Sequence, residues 1–552
     1  MTLLITVVSK DGDLINFFMP TNYIPAPDTL EKKIYQLIIG RFNGEGIHSE
    51  SYQKKIFELA RKGIGGFIVF GGRKDEIRYF IDRIQSISET PLFISSDIEH
   101  GVGQQIQDNT IFPCQMAVAA AIDKERPEDV SILESAIKAV ADEAKDIGIN
   151  MPLIPVLDVN QNPDNPIICT RAFSDNPEYV AWFGSQYIRI LENSGLISCA
   201  KHFPGHGDTA LDSHILLPVI NKSYEDLLSV DILPFKKAIN TGVSSIMIGH
   251  LSTPSIDYKP ASISRKIITD ILRTELGFEG LILTDALNMN ALKNIEDVPV
   301  KCIKAGADIL LHPLDVDLTV EELLYAVESK ELTEEQIDAA LNRILKTKVK
   351  LQDTTTPRSP LVKGELKGGG VDYQRHKMLS SQVTDMSVTL VKNTPGLLPI
   401  LDENKIHVVF AGDDKFFESS PFRDYFKNVS IINDSNPPSP PFEKGGQEGI
   451  LKETKLRLSD GIVIFAVFTG IAAWKGSSGI DDDEKNRINE LIRNAKNSIV
   501  ISFGSPYVLR HFQEADVLIA AYEPTEQAQK AVLKCLTGEI DFKGRLPVKL
   551  NL

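Results

Sequence analysis

From about residue 28 to residue 320, short apolar runs alternate with longer amphipathic segments. Each run is apolar at most of its consecutive positions, which is typical of a strand buried on both faces. The eight runs lie at 36–40, 66–70, 92–96, 151–156, 196–200, 245–249, 281–284 and 308–311. The clearest helical segments between them are 51–62, 74–88, 127–147, 177–194, 223–240, 265–276 and 318–329. This alternation predicts an α/β fold with a parallel (β/α)8, TIM-like barrel.

Titratable residues follow six of the eight runs. In a parallel barrel the carboxyl ends of the strands meet at one rim, where the connecting loops carry the chemistry. The residues are Asp97, Asp158, Lys201 with His202, His250, Asp285 and His312. The pattern therefore predicts a site at this rim, built from several strands.

A second strand–helix pattern occupies residues 380–552. Its six apolar runs lie at 388–391, 407–410, 429–432, 462–465, 499–502 and 517–520, with helical segments at 483–496 and 525–537. This order predicts a doubly wound, flavodoxin-like α/β domain. It lacks a Gly-rich phosphate loop in a nucleotide-binding context.

Stretches rich in Pro and Gly separate these patterns. We expect a barrel domain at 1–352, a low-complexity linker at 353–379 and a second α/β domain at 380–552. A related stretch at about 436–450 is predicted to interrupt the second domain as a disordered surface insert. Residues 1–25 predict one strand and a loop.

Composition narrows the classes of function. The 552 residues carry a formal net charge of −16, which argues against a nucleic-acid partner. The five Cys are widely spread, without a disulfide framework or metal-ligand spacing, as in a reducing compartment. We find neither signal-peptide features nor a run of ~18 apolar residues. We therefore expect a cytoplasmic protein without a membrane partner, either monomeric or weakly homo-oligomeric.

The densest cluster of titratable residues runs from Lys201 to His214. Lys201 and His202 end a predicted strand, and Asp212 and His214 follow in a loop that contains Gly and Pro. Residues two apart in an extended loop point the same way, so Asp212 can orient His214 for proton transfer. The alternative is a solvated polar loop. The His spacing, which includes His206, fits no standard zinc pattern, and we predict neither a metal nor another cofactor.

Asp285 ends the predicted seventh strand. A carboxylate there can attack an anomeric carbon and form a covalent glycosyl-enzyme. The alternative is an N-cap of the next helix. Asp97, Arg171 and Lys201 have a similar ambiguity, because each is suited either to a rim ion pair or to holding sugar hydroxyls.

The run KHFPGHG from Lys201, followed after a short spacer by Asp-Ser-His, resembles the motif of bacterial β-N-acetylhexosaminidases of glycoside hydrolase family 3. The resemblance extends through 96–99, 171–174 and 283–287, and residues 380–552 resemble the second domain of two-domain members. It implies retaining hydrolysis of a terminal β-linked N-acetylglucosamine, from muropeptides or chitooligosaccharides, without a cofactor. The implied catalytic residues are Asp285 as nucleophile and His214, oriented by Asp212, as acid/base. The implied sugar-binding residues are Asp97, Arg171, Lys201, His202 and His250, whereas His206 is expected to shape the loop.

The sequence departs from the family pattern near two of these residues. Cys169 and Thr170 precede Arg171 where relatives usually have Gly, and His100 follows Glu99 where many have Gly. We expect these changes to affect a second sugar subsite more than the chemistry. Three alternative functions stay open: a phosphorylase on the same scaffold, a β-glucosidase or xylosidase, and a non-catalytic sugar-binding barrel. The phosphorylase is favoured among them because a neutral His tolerates an incoming phosphate dianion better than a carboxylate does.

Overall fold

The computed structural model describes residues 2–8, 14–20, 24–209, 216–352, 370–432, 461–471 and 477–552. The first two segments are strands β1 (Thr2–Val8) and β2 (Leu14–Pro20), which pair antiparallel. The sequence predicted one strand in this region, so the second is a correction. The sequence does not predict β2 because the pairing of β2 with β1 is visible only in the fold.

Among the described residues of the first domain lie ten further strands, and eight of them are parallel barrel strands. The bounds are β3 Ile38–Asn43, β4 Gly66–Phe70, β5 Phe93–Ser96, β6 Met151–Pro152, β7 Cys199–Phe203, β8 Ser245–Ile248, β9 Ser252–Thr253, β10 Asp257–Pro260, β11 Leu281–Thr284 and β12 Leu310–Leu311. Hydrogen bonds order the barrel strands as β12-β3-β4-β5-β6 and β7-β8-β11, while β9 and β10 form a separate antiparallel pair. Parallel bridges Val156–Lys201 and Leu283–Ile309 join the two groups. The barrel is therefore closed, and the predicted fold class is confirmed.

The helices cover the outside of this barrel. Their bounds are α1 Leu30–Gln36, α2 Glu50–Lys62, α3 Lys74–Ile87, α4 Gln115–Ala121, α5 Pro127–Ile147, α6 Pro177–Asn193, α7 Tyr224–Asp226, α8 Leu233–Thr241, α9 Val298–Ala305, α10 Val316–Glu328 and α11 Glu334–Gln352. Two segments, Leu227–Asp231 and Lys266–Glu275, have the wider π-type hydrogen bonding. No helix in the described ranges is long and apolar enough to cross a membrane.

Helix α2 shows how local sequence specifies these elements. The Ser49 side chain accepts a hydrogen bond from the N–H of Tyr52, which satisfies a donor that the first turn leaves free. Gly63 ends the helix in the left-handed conformation, at φ +91°, which glycine adopts without steric cost. Between the caps, Ile56 and Leu59 recur at helical spacing and are buried in the barrel core. The apolar stripe therefore fixes which face meets the sheet.

The second domain is built on a six-stranded sheet. Its elements are α12 Tyr373–Ser387, β13 Thr389–Lys392, β14 Ile406–Gly412, α13 Pro421–Tyr425, β15 Val429–Ile431, β16 Ile462–Thr469, α14 Asp482–Asn494, β17 Asn497–Gly504, β18 Val517–Ala520 and α15 Glu526–Thr537. The strand order is β13-β18-β17-β16-β14-β15, and all pairs except β13–β18 are parallel. The doubly wound prediction is confirmed. Helix α12 begins within the range predicted as linker, and residues 353–369 of that range lie outside the described residues, as does the 436–450 insert.

The two domains share buried contacts. Cys114 and Met116 of the barrel lie in one apolar cluster with residues of β16 and β17. Helix α12 is joined to the barrel by a hydrogen bond from the Tyr373 hydroxyl to Asp146, 2.7 Å long. The Nδ2 of Asn160 also donates to the hydroxyl of Tyr507 at 2.9 Å, across the interface. The second domain is therefore packed against the loop side of the barrel.

Candidate active site

A cavity of about 610 Å³ opens at the carboxyl rim of the barrel. Its barrel lining comes from residues at or after several strands, as the rim pattern predicted. These residues include Arg41, Asp97, Glu99, Arg171, Lys201, His202, His206, Asp285 and His312. The second domain lines the same cavity with Lys415, Phe416, Thr469, Gly470, Ile471 and the segment 522–525.

Lys201 and Arg171 share one carboxylate, that of Glu99. The Nζ of Lys201 lies 2.7 Å from Asp97 Oδ1 and 2.8 Å from Glu99 Oε1. Arg171 donates to both oxygens of Glu99, through Nε and Nη2, each at 2.8 Å. Because a bidentate guanidinium–carboxylate contact fixes both groups, the four side chains form one rigid network. The predicted sugar-binding residues Asp97, Arg171 and Lys201 are thus brought together.

The charges in this network stabilise one another. Burial by itself raises the pKa of Glu99, but Arg171 and Lys201 hold it well below its usual range. Burial likewise disfavours the charged forms of Lys201 and Arg171, and the neighbouring carboxylates nevertheless raise both pKa values. The side chain of Asp97 is 31% exposed, whereas that of Glu99 is 5% exposed. Asp97 is therefore the carboxylate of the network that is open to a ligand.

Asp158 organises the two histidines of the motif. Its Oδ2 lies 2.7 Å from His202 Nδ1, and its Oδ1 accepts the backbone N–H of His206 at 2.6 Å. Burial opposes ionisation of Asp158, but the two imidazoles lower its pKa below the ordinary value. Burial lowers the pKa of His206 to about 4, so its ring is neutral near pH 7. Its Nδ1 lies 3.0 Å from the hydroxyl of Thr209.

Strand β7 is displaced along the chain from its predicted position. The sequence predicted it at 196–200, and the structure has it at 199–203. The backbone explains the difference, because Lys201 donates its N–H to Pro155 and accepts from Leu157. Lys201 and His202 therefore lie within the strand rather than after it, which makes their positions more rigid than a loop would.

Asp285 directly follows β11 and lines the cavity. Its Oδ1 accepts the N–H of the adjacent Ala286 at 2.7 Å. The next helical turn spans Asn290–Leu292 and begins after Met289, and α9 begins after Asp297. The N-cap alternative for Asp285 is thus wrong. Its backbone N–H donates to Ile248 of β8, which holds the carboxylate at the strand end.

His250 is buried behind the Asp285 segment rather than in the cavity lining. Its Nε2 lies 3.1 Å from the carbonyl oxygen of Ala286 and must donate, since a carbonyl only accepts. Its Nδ1 lies 3.0 Å from the hydroxyl of Ser262. This geometry gives His250 a structural contact with the loop that carries Asp285, whereas the sequence predicted contact with substrate.

The predicted acid/base pair, Asp212 and His214, lies outside the described residues. Within the described ranges, no group of three or more His, Cys, Asp or Glu side chains is arranged to hold a metal ion. All five cysteines are free thiols and buried.

Residues 29–347 match the family described as glycosyl hydrolase family 3, N-terminal domain. The chain belongs to this family. It is 27% identical to β-hexosaminidase A of Pseudoalteromonas piscicida, over 89% of this chain and 90% of that protein. It is also 27% identical to a β-N-acetylglucosaminidase/β-glucosidase of Cellulomonas fimi, over 85% of each. The solved structure of a family 3 β-N-acetylglucosaminidase from Paenibacillus sp. str. FPU-7 superposes with a TM-score of 0.77 at 27% identity, over 95% of this chain and 99% of that one.

The sequence pattern of this family member does not predict the roles of several residues at the candidate active site. The motif at 96–99 predicts no role for Glu99, although its alternation with Asp97 after β5 places both carboxylates on one side. Asp158 is predicted only as a rim residue, without its contact to His202. Lys415, Phe416 and Glu523 of the second domain gave no local signal, because only domain packing brings them to the cavity.

Proposed function

We propose that the chain is a retaining β-N-acetylhexosaminidase that releases terminal β-linked N-acetylglucosamine. The observation that carries this proposal is that Asp285 lines the same cavity as the Lys201–Asp97–Glu99–Arg171 network. A nucleophilic carboxylate beside a rigid polar network is suited to an exo-acting glycosidase. Relatives with such activities in their names, aligned over most of both chains, support the choice of sugar.

In the proposed reaction, the Asp285 carboxylate attacks the anomeric carbon and forms a glycosyl ester. The glycosidic C–O bond breaks as His214 gives a proton to the leaving oxygen. Water then attacks the same carbon, His214 takes its proton, and the ester bond to Asp285 breaks, so the sugar leaves with its configuration retained. The roles of His214 and Asp212 rest on the sequence motif.

The network supplies the sugar-binding part of the proposal. Lys201 and Arg171 neutralise the buried Glu99, which leaves Asp97 to accept hydrogen bonds from sugar hydroxyls. His202, held by Asp158 through Nδ1, presents the opposite edge of its ring. We further propose muropeptide or chitooligosaccharide fragments as substrates, in the cytoplasm.

A panel of aryl glycosides, assayed with and without phosphate, tests the activity. The aryl N-acetylglucosaminide is expected to be cleaved fastest, without acceleration by phosphate. A sugar 1-phosphate product would contradict hydrolysis and favour a phosphorylase, and preference for a glucoside or xyloside would contradict the proposed sugar.

The Asp285→Ala variant tests the nucleophile. It is expected to lose nearly all turnover, and near-normal turnover would contradict the assignment. Asp315→Ala is the matched control, because Asp315 follows another barrel strand but caps α10 by accepting from Asp317 and Leu318. This control is expected to lose about 1 kcal/mol of stability and to keep its turnover.

A further inference from the structure

Glu523 and His100 form a charged contact between the two domains at the cavity. Glu523 Oε2 lies 3.6 Å from His100 Nδ1 and accepts the backbone N–H of Cys114 at 3.2 Å. Both side chains line the cavity, and that of Glu523 is only 7% exposed. Because burying a carboxylate is costly without partners, these contacts hold Glu523 against the barrel.

The fold of the second domain fixes the position of Glu523. The residue lies in the short turn between β18 and α15, at the sheet edge where doubly wound domains present loops to ligands. The preceding Tyr522 is fully buried, and its hydroxyl lies 2.7 Å from Oγ1 of Thr389. The Thr525 hydroxyl donates to Glu523 Oε1 at 3.3 Å. These contacts therefore fix the position of Glu523 where it faces the barrel.

His100 is adjacent in sequence to Glu99, which joins Arg171 to Lys201. Its backbone is held on both sides, since its carbonyl accepts from Phe112 at 2.7 Å and its N–H donates to Gln104 Oε1 at 2.8 Å. The His100 ring is thus held one peptide unit away from Glu99, so its contact with Glu523 ties the second domain to the segment that carries the network.

We propose that Glu523 and His100 are a positioning pair for the sugar-binding network, through which the second domain sets the affinity of the barrel for its sugar. This inference rests on the function proposed above. Because the network holds the sugar and Asp285 performs the chemistry, loss of the pair raises KM more than it lowers kcat.

The charged groups that face His100 are Glu523, Glu99 and Arg171. Burial disfavours the imidazolium, Glu523 and then Glu99 favour it, and Arg171 opposes it, so that the pKa of His100 is raised above its ordinary value. The pair is therefore an ion pair at lower pH and loses one charge as the pH rises through this pKa.

The test compares Glu523→Gln, His100→Gln and the double variant with the wild type, using an aryl N-acetylglucosaminide. Near pH 6, each single change is expected to raise KM about tenfold with kcat within about threefold, the loss expected for one charged contact. The double variant is expected to match the singles, since both remove the same contact. At about pH 9 the wild-type KM is expected to approach that of the variants.

Arg545→Gln is the matched control. Arg545 pairs with Asp123 of the barrel, so this change also removes an interdomain ion pair, but neither residue lines the cavity. It is expected to leave KM unchanged. An equal rise in KM in this control, additive effects in the double variant, or an unchanged KM in Glu523→Gln and His100→Gln would overturn the proposal.

Two further results of the same kinetic experiments can be told apart from a change in KM. A loss in kcat of more than about a hundredfold in Glu523→Gln, with unchanged KM, would identify Glu523 as a proton donor and overturn the positioning role. If the wild type cleaves no glycoside, the proposed function fails, and calorimetric titration with N-acetylglucosamine then tests the pair. About tenfold weaker binding by folded His100→Gln than by the wild type would support the pair, and equal affinity would overturn it.

Discussion

Asp158 holds His202 by one edge of its ring. The carboxylate is fully buried, and its Oδ2 lies 2.7 Å from Nδ1 of His202. Because an ionised carboxylate only accepts hydrogen bonds, Nδ1 carries a proton and the tautomer of His202 is fixed. The residue that the sequence marked as one rim carboxylate among several is thus the support for the histidine of the motif.

Asp158→Asn is expected to lower kcat/KM by about 10- to 100-fold, since a hydrogen bond to a charged group contributes about 1.5–3 kcal/mol. The amide can present its N–H₂ to Nδ1 and favour the wrong tautomer. Steady-state kinetics with an aryl N-acetylglucosaminide measure the effect, and thermal unfolding checks the fold. Wild-type kcat/KM in a folded variant would contradict this role.

Glu99→Gln is expected to destabilise the barrel by about 3–5 kcal/mol, because it leaves the cations of Lys201 and Arg171 undercompensated. Urea unfolding measures the change. The pKa of Glu99 is lower in the folded protein than in the unfolded chain, so its ionised form stabilises the fold at pH values above the unfolded-state pKa. The difference in unfolding free energy between wild type and variant therefore shrinks as the pH falls below about 4.5.

Glu331→Gln is the control for this prediction, because Glu331 pairs with Lys304 on the exposed surface. Its expected cost is at most about 1 kcal/mol. Equal effects of the two substitutions would mean that the buried network has no special contribution to stability.

Lys348→Met is expected to stabilise the protein at neutral pH. Lys348 is fully buried, and burial lowers its pKa to about 7 from 10.5. Between these values the unfolded chain binds more protons than the folded one, so the wild type gains stability as the pH rises. The advantage of the variant is therefore full below pH 7, on the order of 2–5 kcal/mol, and shrinks towards pH 10.5. Loss of the 2.8 Å hydrogen bond from Lys348 Nζ to Gln36 Oε1 offsets about 1–3 kcal/mol of it at every pH.

Urea unfolding at several pH values measures this difference. Lys346→Met on the same helix is the control, because Lys346 is exposed, and it is expected to show no such pH dependence. A constant difference between Lys348→Met and wild type across the range would refute the prediction. Met preserves the apolar packing of the lysine stem near Phe93, whose ring centre lies 4.9 Å from Nζ.

The His250→Phe variant distinguishes a structural role, in which His250 holds the loop that carries Asp285, from direct contact with the substrate. Because His250 binds the carbonyl of Ala286, next to Asp285, its loss is expected to lower kcat at least tenfold with a small change in KM. Ser262→Ala, which removes the hydroxyl near His250 Nδ1, is expected to have a smaller effect of the same kind. A raised KM with unchanged kcat would instead support the substrate contact that the sequence predicted.

The barrel was predictable because the pattern of apolar residues that specifies each strand lies within a few neighbouring positions of the chain. Largely apolar runs such as 66–70 and 281–284 coincide with β4 and β11, since a strand covered on both faces has few polar positions. The ends of β7 were less predictable, because the polar Lys201 is paired with Pro155 and Leu157 by backbone hydrogen bonds that do not depend on side-chain polarity. The roles of Asp212 and His214 remain predictions from the motif.

The sequence by itself determined the eight-strand barrel, the doubly wound second domain and most residues brought to the rim. Only the tertiary structure decided which polar groups contact one another. Lys201 meets Asp97 across 104 positions of the chain, and Glu523 meets Cys114 across 409. The reason is physical: strand propensity acts over neighbouring residues, whereas ion pairing and burial depend on separations of a few ångströms that barrel closure and domain packing create.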